Sequence, residues 1–119
     1  MADQETYPMT PATKLLRIFT DEAAYFGDRK VFEVVAGRAR EAGLAGATVL
    51  QAVIGFGRTA HLHTRRLLED DQSVVVEIVD EEQKLRAFAA ALADLPDIGL
   101  ITLEAVEVLR SPSRANGDG

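Results

Sequence analysis

The sequence predicts an α+β domain in which a four-stranded antiparallel sheet carries two helices on one face. Three observations lead there. Extended and helical patterns alternate along the chain in the order β-α-β-β-α-β. Each predicted helix has one apolar stripe, enough to cover one sheet face. A faint internal repeat, GATVLQAV at 46–53 and GLITLEAV at 99–106, puts two similar strands each behind a helix. A chain of 119 residues supports one core, not two.

Residues 1–12 are polar, contain Pro8 and Pro11, and are expected to be a flexible leader before a domain spanning 13–110. Lys14–Thr20, KLLRIFT, reads as the first strand, and Asp21–Gly27 as a loop. From Asp28 the period becomes helical: Val31, Val34, Val35, Ala39 and Ala42 share a face, and Gly43 suits the left-handed position that ends a helix. The second strand spans 46–56, where Val49, Val53 and Ile54 favour an extended chain. Gln72–Val79 is the third strand. Asp80 is placed to cap a second helix over 81–95, with the stripe Leu85, Phe88, Ala89, Leu92 and Leu95. Gly99–Leu109 is the fourth strand, and SPSRANGDG at 111–119 is expected to be a disordered tail. This order is the split βαβ arrangement of ferredoxin-like domains.

In such a domain the face away from the helices should be polar in a monomer. Here Val74, Val76 and Ile78 alternate with Val75 and Val79, and Leu50 and Ala52 with Val49 and Val53, so both faces of the central strands read as apolar. A second apolar face predicts a partner surface, most simply a homo-oligomer.

A formal charge of −6 argues against nucleic acid as partner, since that would need a basic face. The absence of cysteine excludes disulfides, thiolate catalysis and cysteine metal sites. The N-terminal stretch has neither the basic nor the apolar region of a signal peptide, and no apolar run spans a bilayer, so a cytoplasmic location is expected.

The second strand runs into Gly55-Phe56-Gly57-Arg58. Two glycines let the backbone turn or approach a ligand closely, and a guanidinium behind exposed N–H groups suits an anion such as phosphate. The same residues would also make an ordinary tight turn. The long connection 57–71 follows, with His61, His63, Arg65 and Arg66. His61 and His63 point the same way on an extended segment, which offers two metal ligands to be completed by Glu69, Asp70, Asp71 or a second subunit, or simply a polar loop. Neither carboxylate cluster, Glu81-Glu82 or Glu69-Asp70-Asp71, has the apolar setting that would raise a carboxylate pKa, and neither a Ser-His-Asp pattern nor a P-loop lysine is present, so no catalytic residue is assigned.

The runs GLAGATVLQAVIGFGRTAHLHT, VVVEIVDEEQKLRAFAAAL and GLITLEAVEVL together resemble the small PII-like family, a divergent branch of the PII nitrogen-regulatory signal-transduction superfamily. The resemblance covers about 14–110. It implies a homotrimer of ferredoxin-like protomers, with sheets facing inward and an adenine nucleotide held between subunits. It also implies a non-enzymatic regulator whose loop after strand two engages a target protein such as a membrane transporter. Carried over, Thr48 would lie by the adenine, and Gly55, Phe56, Gly57 and Arg58 would approach the phosphates. His61, His63, Arg65 and Arg66 would belong to the partner loop. The stretch LPDIGLI at 95–101 matches a second phosphate loop but keeps only Gly99 and no basic residue, so AMP, ADP or cyclic di-AMP is favoured over ATP. Arg110 would supply the missing positive charge across the interface. The alternative implied by the shared architecture is a metal-binding trimer of the divalent-cation-tolerance type, using His61 and His63.

Overall fold

A computed structural model describes residues 12–52 and 73–112. The first strand, β1 (Thr13–Asp21), leads into a small hairpin, β2 (Tyr25–Phe26) and β3 (Arg29–Lys30), and then helix α1 (Val31–Glu41). Strand β4 (Thr48–Gln51) precedes the undescribed 53–72. After it come β5 (Ser73–Glu81), helix α2 (Glu82–Ala90) and β6 (Ile101–Ala105). The main sheet has the order β4-β5-β1-β6 with every neighbouring pair antiparallel. The expected α+β, split βαβ fold is therefore present, with both helices on one face.

The register explains the core. Leu16 pairs with Ile78 and Ile18 with Val76 in the β1–β5 ladder, and all four point under the helices. Val31, Val35 and Ala39 of α1 and Leu85 and Phe88 of α2 close over them, joined by Leu92 and Leu95 from the turns after α2. Three- and four-residue spacing on the helices meets two-residue spacing on the strands, so one buried layer forms. Ala42, placed on the α1 stripe from the sequence, is instead the exposed C-cap, and Val34 packs only at the margin of the core.

Gly43 ends α1 as expected, at φ +78. Its N–H donates to the Arg40 carbonyl and that of Leu44 to the Ala39 carbonyl, the paired bonds of a Schellman motif. Leu44 and Ala39 are both buried in the core, so the same turn that satisfies the last carbonyls seats an apolar anchor.

The element boundaries differ from the sequence expectation in four places, each with a local cause. First, residues 25–30 form a hairpin rather than loop and helix start. Gly27 at φ +69 takes the first position of a two-residue turn, and Phe26 pairs with Arg29. Second, α2 stops at Ala90, where bonds tighten to the i−3 carbonyl: Leu92 N–H to Ala89 and Leu95 N–H to Leu92. Third, β6 ends at Ala105 rather than 109, because Ala105 pairs with Lys14 and β1 begins one residue earlier. Among the described residues, β1 reaches only one position beyond that pair, Thr13. Fourth, Asp80 does not cap α2. The N-cap is Glu81, without a side-chain bond, and the Glu82 N–H donates to the Ala12 carbonyl at 3.0 Å.

Candidate functional site

Ladder parity sets the face opposite the helices. Leu15, Arg17, Phe19, Val75, Glu77 and Val79 point there from the two central strands, and Thr48 and Leu50 from β4. The face is mixed rather than uniformly apolar, as the valine alternation had suggested. A polar row, Thr48–Glu77–Arg17–Thr102, crosses all four strands, with Leu50–Val75–Phe19 on one side and Val79–Leu15–Glu104 on the other. Arg17 is the centre of that row: Nε donates to Glu77 Oε2 at 2.9 Å and Nη1 to Glu104 Oε1 at 2.8 Å. The hydrogen bond that Arg17 donates to Glu77 is the largest of the influences that raise the Arg17 pKa above its ordinary value. On either side, Leu50 is 47% exposed and Val79 41%.

Sequence inspection had skipped this ion cluster. Its signal was present: Arg17 inside KLLRIFT and Glu77 inside VVVEIV are single charges in otherwise apolar strands, and β1 and β5 place them opposite each other.

Thr48 opens β4, an edge strand whose residues 48–51 are all exposed. The Ala52 N–H donates to the Ser73 carbonyl, so residues two and four earlier, Leu50 and Thr48, also turn their backbone groups toward β5. Val49 and Gln51 thereby turn theirs toward the free edge. That edge offers alternating N–H donors and C=O acceptors beside the Thr48 hydroxyl, a set suited to a planar heterocycle or another strand.

Gly99 lies on the other side of the sheet. Its N–H donates to the Phe19 carbonyl at 2.7 Å, and the Phe19 N–H to the Leu100 carbonyl at 2.9 Å, extending the β1–β6 pairing. A side chain at Gly99 would meet the Phe19 oxygen at 3.4 Å. Before it, Asp97 takes φ +57, and its carbonyl accepts from the buried Thr20 hydroxyl at 2.7 Å. Arg110 is exposed, five residues beyond β6. Within one protomer the expected site is therefore split. Thr48 stands at the β4 edge and Gly99 lies beside β1 just before β6, three strand spacings or about 14 Å apart across the sheet.

Gly55, Phe56, Gly57 and Arg58 lie outside the described residues, as do His61, His63, Arg65 and Arg66. Among the described residues no group of three or more histidines and carboxylates is arranged to hold a metal, and no helix is long and apolar enough to cross a membrane.

The DUF190 family, described as "Uncharacterized ACR, COG1993", matches residues 13–108. A UPF0166 protein of Aquifex aeolicus (strain VF5) is 44% identical over 98 residues, covering 81% of this chain and 92% of its own length. A second UPF0166 protein of the same organism is 31% identical over 98 residues, covering 79% and 94% respectively.

Proposed function

We propose that this chain, which belongs to the DUF190 family, is a non-enzymatic, PII-like regulator that holds an adenine nucleotide between subunits of a homotrimer. The observation that carries the reading is the split site. Thr48 and Gly99 sit at opposite edges of one sheet, an arrangement that suits a ligand held between two copies, with residues of each kind supplied by a different copy. An assembly that covers the open sheet face would bring such edges together, and the exposed Leu50 and Val79 on that face supply an apolar reason for it to form.

In this reading the adenine lies along the β4 edge by Thr48, and Gly55–Arg58 receive the phosphates. Gly99 and Arg110 come from the neighbouring copy. The loop 57–71, with His61, His63, Arg65 and Arg66, presents the bound state to a target protein, a membrane transporter being one candidate. The ligand can switch the loop only by binding one of its conformations more tightly than the other. The lack of a basic residue in 95–101 favours AMP, ADP or cyclic di-AMP over ATP.

Isothermal titration calorimetry with AMP, ADP, ATP and cyclic di-AMP tests this directly. The expected outcome is micromolar binding of one of the four, weakened by Arg58→Ala. No heat from any of them would overturn nucleotide sensing. A divalent-metal titration of the parent and of a His61→Ala, His63→Ala double variant would then decide for or against the divalent-cation-tolerance alternative.

A further inference from the structure

Strand β4 is held in an unusual way for the element that carries Thr48. All of residues 45–51 are exposed, so burial does not fix where the strand lies. The nearest core anchor is Leu44, and Gly46 and Ala47, between it and Thr48, have almost no side chain to pack. What fixes the strand is hydrogen bonding. Part of it is the ladder to β5. The other part is Asp80, whose Oδ2 accepts from the Ala45 N–H at 2.8 Å while its Oδ1 accepts from the Glu81 N–H at 2.7 Å. One carboxylate thus ties the turn before β4 to the junction of β5 and α2.

We propose that Asp80 is a positioning residue for ligand recognition at Thr48. It holds the 45–47 turn so that the Thr48 hydroxyl and the β4 edge face the bound base at a fixed place relative to β5. The inference rests on the nucleotide reading above. The chemistry is specific to a carboxylate. Two N–H donors arrive at two different oxygens, and an asparagine has one acceptor oxygen and an NH₂ group that would confront the second donor. Asp80→Asn therefore keeps the size of the side chain but must release one of the two amides.

The test compares parent and Asp80→Asn proteins in three measurements. In ¹H–¹⁵N spectra without ligand, the variant should lose the downfield shift of the Ala45 or Glu81 amide. In titrations, affinity for the adenine nucleotide that the parent binds should fall about tenfold, the worth of one hydrogen bond to a charged group. Affinity for the matching guanine nucleotide should change less, so the adenine-to-guanine preference shrinks. Ile78→Val, a core variant expected to lower the melting temperature without touching β4, serves as control and should leave that preference intact. Equal affinity for that nucleotide in parent and Asp80→Asn, or an equal loss of preference in Ile78→Val, would overturn the positioning role alone. A parent protein that binds none of AMP, ADP, ATP and cyclic di-AMP would overturn the inference together with the nucleotide reading on which it rests.

Discussion

In the proposed homotrimer, replacing Val79 with glutamate should take the assembly apart while leaving the protomer folded. Val79 stands opposite Leu15 on the sheet face away from the helices and is 41% exposed. Complete burial of such a side chain is worth about 1.5–3 kcal/mol, so covering the part still exposed yields about 1 kcal/mol per copy. A glutamate there forfeits that gain and adds an unpaired carboxylate to a surface about to lose water, a penalty of several kcal/mol. Glu77 and Glu81, two residues away on the same strand face, add like charge, while the Arg17 guanidinium is already engaged by Glu77 and Glu104. Each contact should weaken by about 3 kcal/mol or more, over a hundredfold in its dissociation constant. In the isolated protomer the side chain stays in water, and the melting temperature should hardly move. Sedimentation velocity at micromolar concentration, with thermal melts by circular dichroism, reads both quantities. The expected parent species is a trimer, the Val79→Glu species a folded monomer, and Val79→Ile should sediment like the parent. A parent that sediments as a monomer would refute the covered face. A Val79→Glu protein of unchanged size and stability would refute the placement of Val79 in the contact.

Two further predictions concern the protomer. Leu85 is fully buried between α2 and the sheet, so Leu85→Ala should cost about 3 kcal/mol by lost burial and a residual cavity, read as a lower urea midpoint with little change in slope. The second concerns acid stability. Arg38 donates to both oxygens of Asp94 at 2.8 Å, and that hydrogen bonding holds the Asp94 carboxyl below its ordinary value of 3.8. The unfolded chain therefore takes up the proton first as pH falls. The contribution of the pair is complete above the ordinary aspartate range and is lost as pH drops from there through the lower native value. Asp94→Asn should melt below the parent at neutral pH, and the difference should close in that acid window. A difference independent of pH would assign the effect to packing instead.

The sequence alone determined the layering of this protein, because periodicity is a local property. The stripe Leu85, Phe88, Leu92 and the alternation Val74, Val76, Ile78 each announce a face that must be buried, and the two cover each other in the structure. Gly43 was legible for the same reason: a left-handed residue is demanded wherever a helix closes with a Schellman turn. Even the hairpin at 25–30 had a local signal, the Gly27-Asp28 pair between Tyr25-Phe26 and Arg29-Lys30, which the helical pattern beginning nearby obscured.

Only the tertiary structure decided what depends on residues far apart in the chain. Arg17, Glu77 and Glu104 are 60 and 87 positions apart and become one ion cluster through the register of three strands. Asp80 has the composition and position of a helix cap. It is diverted because the turn at Ala45 brings an N–H donor within 2.8 Å, a competitor that no local pattern reveals. The candidate site follows the same rule. Thr48 and Gly99 could each be picked out from the sequence, but the strand order β4-β5-β1-β6 puts them on opposite sides of the sheet. Strand order is set by which apolar faces pack together, a property of the whole chain that no single segment encodes.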